Sequence, residues 1–295
     1  MTTDLQGVSM GGVLARREMG GYARSPLFWA GVAVAWAALL PGFWSDGDGS
    51  SSTMTMIAAA ATIGLLGVVV MAGMTKRSDR AAAAAGAVSV GERERTLALA
   101  SAVAVPLAAA LVWFAGAVVQ YAVHRPEPWA VPFGPVGDAH VLAVMFALSV
   151  VPAAGGPLLG LLVARWVSLR GAAVIAVVVV VLVSILMQGN FEATWRWHVV
   201  WPWTYWYGPL GWSSAGTGEA HWMALPGSPF AWIGYLAALC VLGLLVALYH
   251  DPEADRARLT RWIAAVAAGA VALLALTLLL GLDAAVSNPL PGPSF

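Results

Sequence analysis

Long apolar runs alternate with short polar ones along the whole of this 295-residue chain. Seven of the runs lie at 27–43, 54–74, 103–123, 141–164, 171–187, 230–249 and 262–282. Each has the length a helix needs to cross a hydrocarbon core, about 17 to 25 residues. None of the seven contains Asp, Glu, Lys or Arg. A backbone in lipid has to satisfy its own hydrogen bonds, so each run is predicted to be an α-helix. The expected fold class is all-α and integral to a membrane, a polytopic helical bundle of about seven spans. Residues 1–26 form a polar interfacial segment, 27–250 a six-span core, and 251–295 a linker, a seventh span and a tail.

Composition agrees. Hydrophobic residues make up 60% of the chain and charged residues only 10%, against about 25% charged in an average soluble domain. The formal net charge is zero, which gives no reason to expect a nucleic-acid partner. The single cysteine, Cys240, sits inside an apolar run, so no intrachain disulfide is possible. One lysine stands beside fourteen arginines, with Ala, Val and Gly abundant. That usage points to a GC-rich bacterial genome and hence to a bacterial cell membrane. No cleavable leader is expected, since the first apolar run begins near residue 27 without a small-residue cleavage site after it.

The placing of the charges gives an orientation. Arg16, Arg17 and Arg24 precede the first run, and Lys76, Arg77, Arg80, Arg93 and Arg95 follow the second. Arg165 and Arg170 follow the fourth, and Arg256, Arg258 and Arg261 lie before the last. Only Arg125 and Arg196 fall in the intervening connections, so thirteen of the fifteen basic residues belong to one side. The positive-inside rule assigns that side, and the N-terminus with it, to the cytoplasm. The absence of charge within the spans argues against a proton-coupled transporter, which would carry ionisable groups at membrane depth.

The most charged connection is KRSDRAAAAAGAVSVGERERTLALASAVAVP, at 76–106. Arg80 to Ala85 is rich in the strongest helix former and stops at Gly86. Ser89 stands three residues before Glu92, the capping-box spacing, from which a second helix is predicted to run into the third span. A short helix, a break and a helix entering the bilayer would present a lever to a cytosolic partner through Arg77, Asp79, Arg80, Ser89, Glu92, Arg93, Glu94, Arg95 and Thr96. The alternative is a solvated loop that orients the neighbouring spans.

The fourth span holds Pro152, Gly155, Gly156, Pro157 and Gly160. Gly156 and Gly160 have the small-xxx-small spacing of close helix packing. The prolines suggest a kink, which makes Pro152, Gly156, Pro157 and Gly160 candidates for a hinge as well. The outer connection at 188–229 carries Trp195, Trp197, Trp201, Trp203, Trp206, Trp212 and Trp222 with Tyr205 and Tyr207. Indole prefers the headgroup level. Short interfacial or re-entrant helices over the outer end are expected, either as a structural aromatic belt or as an exit gate touching substrate.

Chemistry-bearing motifs are few. No G-x-x-x-x-G-K-[ST], H-E-x-x-H or G-x-S-x-G occurs, so this chain does not bind ATP by the P-loop route. The spacing of His198 and His221 with Glu192 and Glu219 matches no local metal motif. Those four are the residues an integral-membrane enzyme would have to use.

Three stretches carry a resemblance. REMGGYARSPLFWAGV, the 76–102 loop with Arg95, Thr96, Ala98 and Leu99 at the start of the third span, and the Trp-bearing outer region resemble the type-2 permeases of ATP-binding-cassette exporters, especially the actinobacterial kind. The similarity runs over roughly residues 11 to 250. It implies a cytosolic P-loop ATPase subunit docked on the 76–102 loop, with ATP and Mg held by that subunit and no cofactor in this chain. It implies further a second permease copy or paralogue, and export of a hydrophobic or amphipathic compound past the residues Trp195, Trp197, Trp201, Trp203, Tyr205, Trp206, Trp212 and Trp222. The rival expectation is a membrane scaffold that binds lipid or protein through its Trp-rich region.

Overall fold

A computed structural model describes residues 10–44, 55–85, 90–124, 137–188, 199–201, 210–213, 220–224, 227–281, 283 and 286–288; residues 10, 85, 187 and 188 and the three strands are described by backbone alone. Its helices are α1 (Met10–Ala23), α2 (Pro26–Leu39), α3 (Leu65–Ala85), α4 (Glu92–Ser101), α5 (Ala104–Val123), α6 (Asp138–Trp166), α7 (Ala172–Gln188), α8 (Pro229–Leu248) and α9 (Arg256–Leu279). A π-helical turn at Ala60–Gly64 leads into α3. The protein is a polytopic helical bundle embedded in a membrane. Among the described residues, six helical stretches are long and apolar enough to cross one: Pro26–Phe43, Ala60–Ala84, Glu92–Val123, Asp138–Trp166, Pro229–Leu248 and Arg256–Leu279.

The run expected as a fifth span is the shorter apolar helix, α7, at 17 residues. At about 1.5 Å per residue it is roughly 25 Å long. Its two ends are nevertheless placed by its neighbours. Lys76 of α3 donates to the Leu169 carbonyl just before α7, and the Trp201 indole donates to Ser184 near its far end. The connection into α7 turns at Gly171, whose φ of +83° suits glycine.

Helix α6 is the axis of the bundle. In its apolar stretch 67% is buried inside the protein, against 11% for α9. It packs along α3 on one side and α8 on the other. The contact with α3 is a backbone seam: a Cβ at Gly156 would collide with the Gly64 carbonyl, and one at Gly160 with that of Val68. A Cβ at Gly67 would run into the Pro157 ring at 2.8 Å. The small-xxx-small spacing is therefore packing of the closest kind. Pro152 and Pro157 each remove a helical hydrogen bond, yet α6 runs unbroken through both, clamped between α3 and α8. Large apolar side chains such as Trp29, Val119, Leu182, Val271 and Leu279 are exposed and form a surface suited to lipid.

Four expectations are corrected. Arg80 to Ala85 is no separate helix but the last turns of α3, because nothing in that alanine-rich run interrupts the helix arriving from the membrane. The second helix of the loop starts at Glu92 with Gly91 as its N-cap, two residues beyond the start that the Ser89–Glu92 capping-box spacing predicts. Ser89 itself lies outside the described residues. Helix α4 does not run smoothly into the third span: Pro106 cannot donate to the carbonyl four residues back, and a break at Ala102 and Val103 separates α4 from α5. In the Trp-rich connection, the described pieces are a turn at 199–201 and two strands rather than re-entrant helices. Strands β1 (Leu210–Ser213) and β2 (Ala220–Ala224) pair antiparallel, with β3 (Val286–Asn288) on the far edge of β2. Gly211, Gly216 and Gly218 fall within 210–224, a composition that a helix does not favour.

Candidate functional site

One end of the bundle gathers the charged connections. The last turns of α3, the first turn of α4, the end of α6 and the residues after α8 converge there, each brought by a helix that has just left the apolar layer. Arg165 of α6, with its side chain 2% exposed, donates to Asp79 of α3 at 2.6 Å and lies 3.8 Å from Glu92 of α4. Glu92 Oε1 is 2.6 Å from His250 Nδ1. Arg95 of α4 reaches Asp79 at 3.8 Å and donates to the Val90 carbonyl at 2.7 Å. Asp251 accepts from the Arg93 backbone N–H at 3.2 Å and from that of Glu253 at 3.0 Å. Trp166, next to Arg165, stands edge-on to the His250 ring at 5.3 Å and donates to the Val246 carbonyl.

Burying an arginine is costly unless carboxylates surround it, and Arg165 has two within reach. It ties α3 and α4 to α6 through one guanidinium. The consequence for the loop is specific. Asp79, Glu92 and Arg95 have side chains engaged within the protein, Thr96 is buried, and Arg77 is paired with Glu18 of α1 at 3.4 Å. Of the residues predicted to meet a partner, Arg77, Arg80, Arg93 and Glu94 are the exposed ones among those described, and Arg77 alone of these four is in an ion pair. Nothing in the sequence marks Arg165 or His250 for this network, because a charge at a span end carries no sequence mark of the carboxylate it meets.

Along α6 from this network lies an apolar groove of about 370 Å³ between α6, α7 and α8. Pro152, Gly155 and Leu159 line one wall, Val180 another, and Leu239 and Cys240 a third. Trp201 closes one part of it, held by its bond to Ser184 at 3.0 Å. The turn carrying Trp201 is itself fixed to α8, since Trp232 donates to the Val199 carbonyl at 2.9 Å and Tyr235 to that of Val200 at 2.8 Å. Of the expected aromatic gate, Trp201 is thus placed at the groove. Trp195, Trp197, Trp203, Tyr205 and Trp206 lie outside the described residues, and of Trp212 and Trp222 only the backbone is described. Glu192, His198 and Glu219 also lie outside them, and His221 is described by backbone alone.

A second cavity, of about 450 Å³, opens between α1, α3 and α4 beside the ion-pair network. Helix α1 forms one wall because Tyr22 is fully buried against Phe28, ring centroids 5.3 Å apart. Burial pushes the Tyr22 hydroxyl pKa well above its ordinary value. No family model, curated protein or solved structure matches the chain.

Proposed function

We propose that this chain is the membrane-spanning permease subunit of an exporter driven by a separate cytosolic ATPase. The observation that carries the reading is a mechanical path. Arg165 joins the loop at 76–95 to the end of α6, and the same unbroken helix forms a wall of the apolar groove. A push on Arg80, Arg93 and Glu94 from a closing ATPase pair moves α3, α4 and α6 together. That motion widens or narrows the groove against α7 and α8. The groove's lining is almost wholly apolar, which suits a hydrophobic or amphipathic cargo.

In this reading α7 crosses with the six longer helices, the charged end faces the cytoplasm of a bacterial cell, and a second copy or paralogue completes the transport path. The protein supplies no catalysis; ATP and Mg belong to the partner. Affinity purification of the tagged chain from its native membrane, followed by mass spectrometry, tests this. A P-loop ATPase recovered in near-stoichiometric amount, and lost on Arg80→Glu with Arg93→Glu, is the expected result. Recovery of no ATPase even after crosslinking overturns the reading in favour of a membrane scaffold.

A further inference from the structure

The cavity between α1, α3 and α4 has a lining out of balance in charge. Arg17 and Arg24 come from α1 and its end, Arg77 from α3 and Arg95 from α4, and Glu18 is the one carboxylate among the lining residues. Glu18 is already engaged by Arg77 at 3.4 Å. Arg95 reaches Asp79, outside the lining, only at 3.8 Å, and its buried Nε–H has no hydrogen-bond partner. Arg17 and Arg24 are exposed, with no carboxylate within ion-pair distance among the described residues. Guanidinium groups converging in this way form a receptor for phosphate oxygens, which accept from such donors in forked pairs.

The level of the cavity identifies the source of the phosphate. Arg24 stands two residues before Pro26, where the first membrane-crossing stretch begins, so the arginines sit at headgroup depth. Leu14, Ala81, Ala82 and Val90 supply an apolar part to the same lining. A free phosphate ion has no use for that part, whereas the glycerol and upper acyl carbons of a lipid do. We propose that this cleft binds the phosphate headgroup of an anionic phospholipid from the adjoining leaflet, with Arg17, Arg24, Arg77 and Arg95 as its donors. Basic pockets between helices at the membrane face are suited to such headgroups. This proposal does not rest on the permease reading.

The test uses the full chain purified in mild detergent, titrated with phosphatidylglycerol, phosphatidylcholine or inorganic phosphate while its thermal unfolding is followed. A ligand that binds only the folded protein raises Tm in a saturable way. Phosphatidylglycerol is expected to raise Tm by several degrees, and the other two are not. The double variant Arg17→Gln/Arg24→Gln should keep the lipid-free Tm, because neither side chain has an ion-pair partner among the described residues to lose. It should bind phosphatidylglycerol about 25-fold more weakly, each arginine contributing about a factor of five. The control variant Arg256→Gln/Arg258→Gln, outside the cleft, should respond like the parent. Equal shifts with phosphatidylcholine, equal weakening in the control variant, or an undiminished shift in Arg17→Gln/Arg24→Gln each overturn the proposal. A shift with inorganic phosphate that matches the lipid's assigns the cleft to a free anion and overturns the lipid.

Discussion

The two cavities of this protein are close in size, about 370 and 450 Å³, and opposite in chemistry. The groove between α6, α7 and α8 is walled by aliphatic side chains and bare helix backbone, with one indole at its edge. The cleft between α1, α3 and α4 sets four guanidinium groups beside one carboxylate and small apolar side chains. Depth explains the difference. Helices α7 and α8 flank the groove within the apolar layer, where a charge would be stranded. The cleft lies where α1 and α3 leave that layer and arginines can keep their heads solvated. What joins the two is α3 packed on α6 through the glycine seam, with Arg165 at its charged end. A cavity's chemistry follows from its depth in the bundle, and its coupling to the rest follows from the helices it shares.

The comparison can be broken most completely at the seam. Gly156→Val puts a branched side chain into the Gly64 carbonyl, backbone against backbone, where neither helix can yield without separating. Both cavities should be lost together, read as failure to recover a monodisperse protein in detergent. Gly73→Ala on α3, whose added Cβ meets nothing within 4 Å, should leave recovery unchanged.

Next in size is the link between the cavities. Arg165→Ala leaves Asp79 and Glu92 without their common partner and should destabilise the protein by about 2–3 kcal/mol. That is less than a fully buried pair would cost, because the Asp79 side chain is 39% exposed. A lower Tm is expected, and a double-mutant cycle with Asp79→Ala should show a combined loss smaller than the sum of the two single losses.

A smaller change sharpens the contrast by filling the groove alone. A Cβ at Gly155 meets only the Cys240 sulfur, at 3.5 Å, so Gly155→Leu has room to grow into the cavity. Labelling of Cys240, the one cysteine in the chain, by a membrane-permeant maleimide should slow about tenfold, while phosphatidylglycerol binding at the cleft is untouched. Equal labelling in parent and variant would show that Cys240 is reached by another route. The smallest effect is expected for His250→Gln, within about 1 kcal/mol, since the imidazole is 37% exposed and Glu92 keeps Arg165 nearby. A Tm shift exceeding that of Arg165→Ala would relocate the centre of the network to His250.

The apolar runs alone were enough to locate every long helix, because a backbone in lipid has one way to satisfy its hydrogen bonds. Gly156 and Gly160 were legible as a packing seam for the same local reason: their spacing puts both on one side of α6. The charged loop was legible as charged, but its helix limits were misjudged where local signals were weak, at the Ser89–Glu92 spacing and at the alanine run ending α3. Glu92 shows why. Its carboxylate had been expected to serve the backbone of its own helix, and it goes instead to His250 and Arg165, both more than 70 residues along the chain.

What the sequence by itself determined is therefore what depends on distance along the chain: the apolar lengths, the gathering of thirteen basic residues into alternate connections, and the bareness of α6 at Gly156 and Gly160. Only the tertiary structure decided which charges meet. The pairing of Asp79 with Arg165, the gathering of Arg17 and Arg24 with Arg77 and Arg95 around one cleft, and the placing of Trp201 over the groove all join residues apart in sequence. Ion pairs and cavities are set by how helices pack side by side, and neighbouring residues carry no record of that packing.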